Sequence, residues 1–207
     1  MAEFEARLGR ARAANRPGYL RAKAATLLGI SNSRATSVAV DLLHRVVDGY
    51  QDFLEVPWSH ELLGNAYLEL GDLEAAAVHL RLATSTADER RNGLSLPELT
   101  LAEVLLQQGR VDDARAALND VRELPQGMIW NSQLYRFAVA SARCAMRSGG
   151  DAALWAQEAL DLADGREPQL SRHPKVGLVE ADSQTLNEMR TIARTGSPPR
   201  KWWRRTR

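Results

Sequence analysis

Residues 61–83 read ELLGNAYLELGDLEAAAVHLRLA, and this stretch decides the fold. Apolar side chains recur every three or four residues on both sides of Gly71-Asp72, which is the period of an amphipathic helix. Glycine at this point is typical of a helix end. The small residues Gly64 and Ala76 stand where the two helices would touch. The stretch therefore predicts two antiparallel helices that pack closely against each other.

The same pattern returns 38 residues further along the chain. The matched pairs are Gly64 with Ala102, Tyr67 with Leu105, Gly71 with Gly109, Ala76 with Ala114, Leu80 with Leu118, and Ala83 with Val121. A single hairpin of this kind leaves apolar surface on both flanks, so its stability requires neighbouring hairpins. The repeat therefore predicts an all-α stack of helix pairs.

The repeated hairpin resembles the tetratricopeptide repeat family. Leu63, Gly64, Tyr67, Ala76, Leu80 and Ala83 stand in the order and at the spacing of that family's pattern. Two positions depart from it, because His60 occupies the tryptophan place and Asp88 the closing proline place. The resemblance implies a TPR-like α-solenoid, a right-handed superhelical stack of about four antiparallel hairpins plus capping helices.

The helical pattern also indicates how the chain is divided. We expect repeats at about 18–49, 57–90, 95–126 and 131–164, with a C-terminal capping helix over 182–195, all in one domain of residues 1–195. A first amphipathic helix is predicted over 3–15, ending before Pro17, because proline disfavours helix at the residue before it. Residues 165–181 are predicted to be irregular, and 196–207 to form a flexible basic tail.

The family resemblance further implies that the first helix of each pair lines a concave groove that binds partners. The groove positions in this sequence are Trp58, Glu61, Asn65, Leu68 and Glu69 in one repeat, and Leu96, Leu99, Glu103 and Leu106 in the next. Three acids among them would repel a free carboxylate and favour a basic or apolar peptide or helix. The alternative is that these acids are ordinary solvated charges, which carry little energy.

No pattern of catalytic or metal-binding residues was recognised. His60-Glu61 begins a sequence like the zinc-protease motif, but Gly64 occupies the place of the second histidine. The four histidines lack metal-ligand spacing, and Cys144 lies in an apolar helix pattern typical of a buried thiol. We therefore expect no enzyme activity, metal or cofactor. An enzyme would require an unrecognised site in 165–181, which contains His173.

The C-terminal tail interleaves cations with aromatic side chains. Its candidate contact residues are Lys201, Trp202, Trp203, Arg204 and Arg205. Such a segment can dock on protein, stack on nucleic-acid bases or enter an anionic lipid surface, or it can be an uncommitted charged end. A second functional hypothesis is therefore a nucleic-acid-associated accessory protein that uses this tail and the basic N-terminal helices. The cations of those helices are Arg7, Arg10, Arg12, Arg16, Arg21 and Lys23.

The leading hypothesis is a non-enzymatic scaffold or adaptor for protein–protein interaction, because the chain contains the repeat and no catalytic constellation is recognised. The 207 residues carry a net charge of +1 and a hydrophobic fraction of 44%, which are ordinary values for a globular chain. One cysteine, no secretory signal and no long apolar run favour a cytoplasmic location. The open ends of a solenoid also make self-association a further prediction.

Overall fold

The computed structural model describes residues 1–30, 32–50, 54–85, 95–123, 130–165, 169, 172–173 and 175–196. The contacts within the chain divide it into two compact units, residues 1–91 and 92–207, and each is described by itself. The helices of the first unit are α1 Ala2–Arg10, α2 Arg16–Leu28, α3 Ser33–Gly49, α4 Glu55–Leu70 and α5 Leu73–Ser85. Those of the second are α6 Pro97–Gln107, α7 Val111–Arg122, α8 Asn131–Ser148, α9 Ala152–Asp164 and α10 Ser183–Thr195.

The first unit consists of two successive hairpins, α2–α3 and α4–α5, preceded by α1. Helix α3 packs against α4, and the first helices α2 and α4 also touch. The core between them contains Leu20, Ala24, Leu42, Leu43, Val46 and Leu63. The two hairpins of this unit therefore cover each other's facing apolar stripes, as in a helical repeat.

The second unit repeats this arrangement with hairpins α6–α7 and α8–α9. Helix α7 packs against α8, the first helices α6 and α8 touch, and α10 packs against α9. Tyr135, Ala138, Ala142, Ala156, Met189 and Ile192 belong to its core. Sequential packing of antiparallel hairpins is thus present in both units, which confirms the predicted all-α, TPR-like fold class.

The small residues of the repeat lie at the hairpin contacts, as predicted. A Cβ atom added at Gly64 would lie 2.5 Å from Leu80 Cγ and 2.8 Å from Leu80 Cδ2. Ala76, on the facing helix, is fully buried, and so are Ala102 and Ala114 of the second copy. The close approach of α4 and α5 therefore depends on the missing side chain at Gly64.

The two copies also end their first helices in the same way. Gly71 and Gly109 have φ angles of 81° and 78°, a left-handed conformation that glycine adopts without strain. The amides of Gly71 and Asp72 donate to the carbonyls of Leu68 and Tyr67. The corresponding bonds follow in the second copy, at Gly109 and the residue after it. This pattern is the Schellman motif, so the 38-residue repeat extends to the backbone hydrogen bonds of the turn.

The predicted first helix over 3–15 is wrong at its C-terminal end. Helix α1 stops at Arg10, Ala11 is extended, and a short 3₁₀ turn occupies Ala13–Asn15. The Arg16 guanidinium donates to the carbonyls of Ala11 and Gly9, which stabilises this break. Helix α2 then starts at Arg16, because proline is tolerated in the first turn of a helix. Asn32 and Asp182 cap α3 and α10, since their side chains accept hydrogen bonds from the amides of Ala35 and Thr185.

Candidate functional site

The side of α4 that points away from the core carries four of the predicted groove residues. They are Trp58, Glu61, Asn65 and Leu68, and all four are partly exposed. At 3.6 residues per turn they fall within a sector of about 80° centred opposite the buried Leu63. We call these four residues the α4 face. These four predicted groove residues thus lie on one side of one helix, and their part in binding stays a prediction.

An ion pair and a stacked cation lie at the edge of the α4 face. Arg21 of α2 forms a salt bridge with Glu55 of α4, and its guanidinium carbon lies 4.9 Å from the centre of the Trp58 ring. A cation over an indole face is attracted by the negative charge of the ring surface. These contacts fix the position of Trp58 beside the neighbouring first helix.

Two predicted groove acids already have partners within the chain. Glu69 accepts a hydrogen bond of 3.3 Å from the Thr36 hydroxyl. Glu103 of α6 accepts two hydrogen bonds from the Arg136 guanidinium of α8, at 2.9 and 2.6 Å. The negative charge of Glu103 is therefore balanced inside the second unit, which the sequence argument for an acidic groove did not anticipate.

The three predicted groove leucines of the second repeat are buried. Leu96, Leu99 and Leu106 are 7%, 0% and 4% exposed. Most residues of α6 are buried, and the remaining three, Thr100, Glu103 and Gln107, lie together on one side of the helix. The surface proposed below therefore does not include these leucines.

Arginine–glutamate pairs, which we call rungs, join neighbouring helices that do not belong to the same hairpin. Arg21–Glu55 joins α2 to α4, and Arg136–Glu103 joins α8 to α6. A third rung, Arg143–Glu188, joins α8 to α10 with hydrogen bonds of 3.1 and 2.8 Å. Burial works against the charge on Arg143, but the hydrogen bonds and charge of Glu188 outweigh it and raise the pKa of Arg143.

Three histidines and a tyrosine form a cluster in the first unit that sequence reasoning missed. Nδ1 of His60 lies 3.0 Å from Nδ1 of His79, and Nε2 of His44 lies 2.9 Å from the Tyr67 hydroxyl oxygen. The His79 ring is stacked between those of His60 and Tyr67, with centroid distances of 5.3 and 5.4 Å. We call these four side chains the histidine cluster.

A sequence signal for part of this cluster did exist. His60 precedes Gly64 by one helical turn, and His79 follows Ala76 by three residues. Since Gly64 and Ala76 mark the contact between α4 and α5, the two imidazoles had to lie near that contact. The position of His44 depends on how α3 packs on this hairpin, which spacing along the chain does not reveal.

The cations proposed for nucleic-acid binding are partly engaged within the chain. Arg7 forms a salt bridge with Glu3 at 2.7 Å, Arg16 donates to backbone carbonyls, and Arg21 pairs with Glu55. The tail residues Lys201, Trp202, Trp203, Arg204 and Arg205 lie outside the described residues. The nucleic-acid hypothesis therefore stays a prediction.

The remaining features of the described residues are possible metal-ligand groups, the Cys144 thiol, His173 and the apolar character of the helices. Within it, no group of three or more histidine, cysteine, aspartate or glutamate side chains is arranged to hold a metal ion. The Cys144 thiol is buried and lies 3.7 Å from the carbonyl oxygen of Val111, to which it donates. His173 is exposed. None of the described helices is both long and apolar enough to cross a lipid bilayer.

Comparison with known proteins identifies the repeated hairpins. The family model described as "Tetratricopeptide repeat" matches residues 57–81 and 97–120, which lie within the hairpins α4–α5 and α6–α7. No curated protein and no solved structure matches the chain. Tetratricopeptide repeats generally mediate protein–protein interactions and are typically non-enzymatic. The matched segments and their shared turn geometry show that the hairpins α4–α5 and α6–α7 are similar to tetratricopeptide repeats.

Proposed function

We propose that this protein is a non-enzymatic interaction module that binds a segment of another protein along the α4 face. The observation that carries the proposal is the line of four partly exposed side chains opposite the core of a tetratricopeptide repeat. A line of this length on one helix matches an extended or helical segment rather than a small molecule. The role is that of a scaffold or adaptor.

The chemistry of the α4 face favours a segment with basic and apolar side chains. Trp58 presents an aromatic surface, and tryptophan is among the residues that dominate binding energy at interfaces. Leu68 adds an apolar contact at the other end, while Asn65 can both donate to and accept from a peptide backbone. Glu61 supplies negative charge, which would attract lysine or arginine and repel a free carboxylate.

The proposal is tested by placing positive charge on the α4 face. We expect the double variant Asn65→Arg, Leu68→Arg to lose partner binding by at least about tenfold, because buried contacts are lost and a basic segment is repelled. Partners are first captured from extracts of the source cells with the unmodified protein and identified by mass spectrometry. Binding of the purified partner is then measured by calorimetry.

The matched control carries the same two substitutions on the other helix of the hairpin. Val78 and Leu82 of α5 are 51% and 43% exposed, so Val78→Arg, Leu82→Arg changes charge equally without touching the α4 face. Circular dichroism checks that both variants are folded. Equal binding by the α4-face variant and the unmodified protein would refute the proposed surface.

A further inference from the structure

The histidine cluster gathers three of the four histidines of the chain at the junction of three helices. His44 comes from α3, His60 and Tyr67 from α4, and His79 from α5. The His44 ring also meets the His79 ring edge-on at a centroid distance of 5.6 Å. Each helix of this junction therefore contributes an imidazole that is within contact distance of another one.

The hydrogen bond between His60 and His79 depends on their protonation. One Nδ1 atom must carry a hydrogen and the other must offer a lone pair, which neutral imidazoles can do as different tautomers. One added proton can sit on the outer nitrogen of the donor ring and leave this bond intact. A second proton makes both Nδ1 atoms donors, so the bond is lost and two cations face each other.

The surrounding groups provide little compensation for such charges. Asp48 of α3 attracts protons to His60 and His79, but burial and the neighbouring imidazoles oppose it. Asp41 of α3 and Asp72 at the start of α5 act on Tyr67, whose pKa is raised mainly by burial. Where α2 meets α4, Arg21 and Glu55 are paired with each other.

The same balance determines the titration of the two bonded histidines. Burial, followed by the charges of His60 and His44, lowers the pKa of His79 to about 4. Burial and His44 also lower the pKa of His60. An open pocket lined by Leu20, His44, Arg45, Asp48, Gly49 and Tyr50 reaches the cluster at His44, so protons have access from solvent.

We propose that the histidine cluster is a proton-sensitive latch, which holds the α4–α5 hairpin against α3 while its imidazoles are neutral and releases it on acidification. Protonation breaks the His60–His79 bond inside the hairpin, and repulsion between the charged imidazoles then acts on the His44–His79 contact that joins the hairpin to α3. The latch concerns the packing of α3, α4 and α5, and it does not depend on the proposed partner-binding function.

The direction of the pH effect follows from proton uptake. A histidine in an unfolded chain binds its proton near pH 6.5, whereas His79 in the folded protein binds it only near pH 4. The open or unfolded form therefore binds more protons in this interval, and acidification favours it. The stability of the junction is full above about pH 6.5 and falls as the pH drops towards 4.

Hydrogen exchange of the full-length protein tests the latch. We expect amide protection factors within 55–85 to fall at least about tenfold between pH 7 and pH 5, because each pH unit below 6.5 favours the open form by up to a factor of ten until His79 itself is protonated near pH 4. Amides within 131–148 should change much less. The double variant His60→Phe, His79→Phe keeps aromatic rings beside Tyr67 and removes both titrating groups, so it should lose this extra pH dependence.

The matched control is His173→Gln, which removes the exposed histidine outside the cluster and should keep the wild-type response. If the double variant does not fold, NMR titration of the unmodified protein decides, with His60 and His79 signals titrating below pH 6.5. The latch is overturned if the phenylalanine variant keeps the wild-type pH dependence, or if both imidazoles titrate at 6.5 or above.

Discussion

Gly64 sets how closely α4 and α5 approach each other. Its position holds no side chain, and the Leu80 side chain fills the space where a methyl group would stand. The same hairpin contact in the second copy uses Ala102, so the requirement for glycine is local to the first copy. Gly64 has an ordinary helical conformation, which any residue can adopt. Glycine is therefore required here by the space that the Leu80 side chain occupies, and not by the backbone conformation.

Replacing Gly64 with alanine is expected to destabilise the protein by about 1–2 kcal/mol. Overpacking against Leu80 costs about 1–3 kcal/mol, and the better helix propensity of alanine recovers up to about 1 kcal/mol. Chemical denaturation followed by circular dichroism measures the change. The control is Gly9→Ala in α1, where an added Cβ atom meets nothing within 4 Å and the same propensity gain should stabilise the helix. Equal effects of the two substitutions would contradict the close-approach argument.

At the scale of elements, the turn between α4 and α5 is closed by backbone geometry. Gly71 adopts a left-handed conformation and an added Cβ atom there meets nothing within 4 Å. The demand for glycine therefore comes from the φ angle alone, unlike the demand at Gly64. A residue that is strained at this φ angle would also weaken the two hydrogen bonds of the Schellman motif, which close the turn.

We expect Gly71→Ala to cost about 1–2 kcal/mol, the penalty of a left-handed conformation for a residue with a Cβ atom. Gly29→Ala is the matched control, because Gly29 ends α2 with a φ angle of −65° and alanine adopts that conformation freely. Thermal unfolding compares the two variants. A loss of stability for Gly29→Ala as large as that for Gly71→Ala would show that φ is not the cause.

The elements were predictable where their signals were local. The breaks at Gly71 and Gly109 and the cap at Asn32 follow from neighbouring residues, and the helices occur where the apolar period placed them. The end of α1 was not predictable from the pattern, since it depends on side-chain bonds from Arg16. The burial of most of α6 had a signal, because its apolar residues extend well beyond one stripe and leave only Thr100, Glu103 and Gln107 as a polar side.

At the scale of the whole chain, the candidate site was predictable to the extent that it lies on one helix. The α4 face follows from periodicity and the family resemblance, whereas the partners of Glu103 and the histidine cluster depend on contacts between helices far apart in sequence. The rungs are of this second kind, since Arg143 and Glu188 are 45 residues apart. They occur in both units and differ in burial.

The difference in burial predicts unequal contributions to stability. In the Arg143–Glu188 rung the side chains are 31% and 4% exposed, and in the Arg136–Glu103 rung they are 43% and 26% exposed. Removing one member of a buried pair costs about 3–5 kcal/mol, and exposed pairs contribute up to about 1 kcal/mol. We expect Glu188→Ala to cost about 3 kcal/mol, at the lower limit because Arg143 retains some solvent, and Glu103→Ala to cost less than about 1 kcal/mol.

A double substitution separates the cost of leaving Arg143 without a partner from the stability that the Arg143–Glu188 pair itself contributes. If most of the cost of Glu188→Ala comes from leaving the Arg143 charge buried without compensation, then Arg143→Leu, Glu188→Leu should restore much of the stability, because apolar side chains need no counter-charge. Urea unfolding of the single and double variants measures this coupling. A double variant as unstable as Glu188→Ala would mean that the hydrogen bonds of the rung themselves hold α10 against α8. Recovery of stability in the double variant would mean that the cost of Glu188→Ala comes from the buried Arg143 charge.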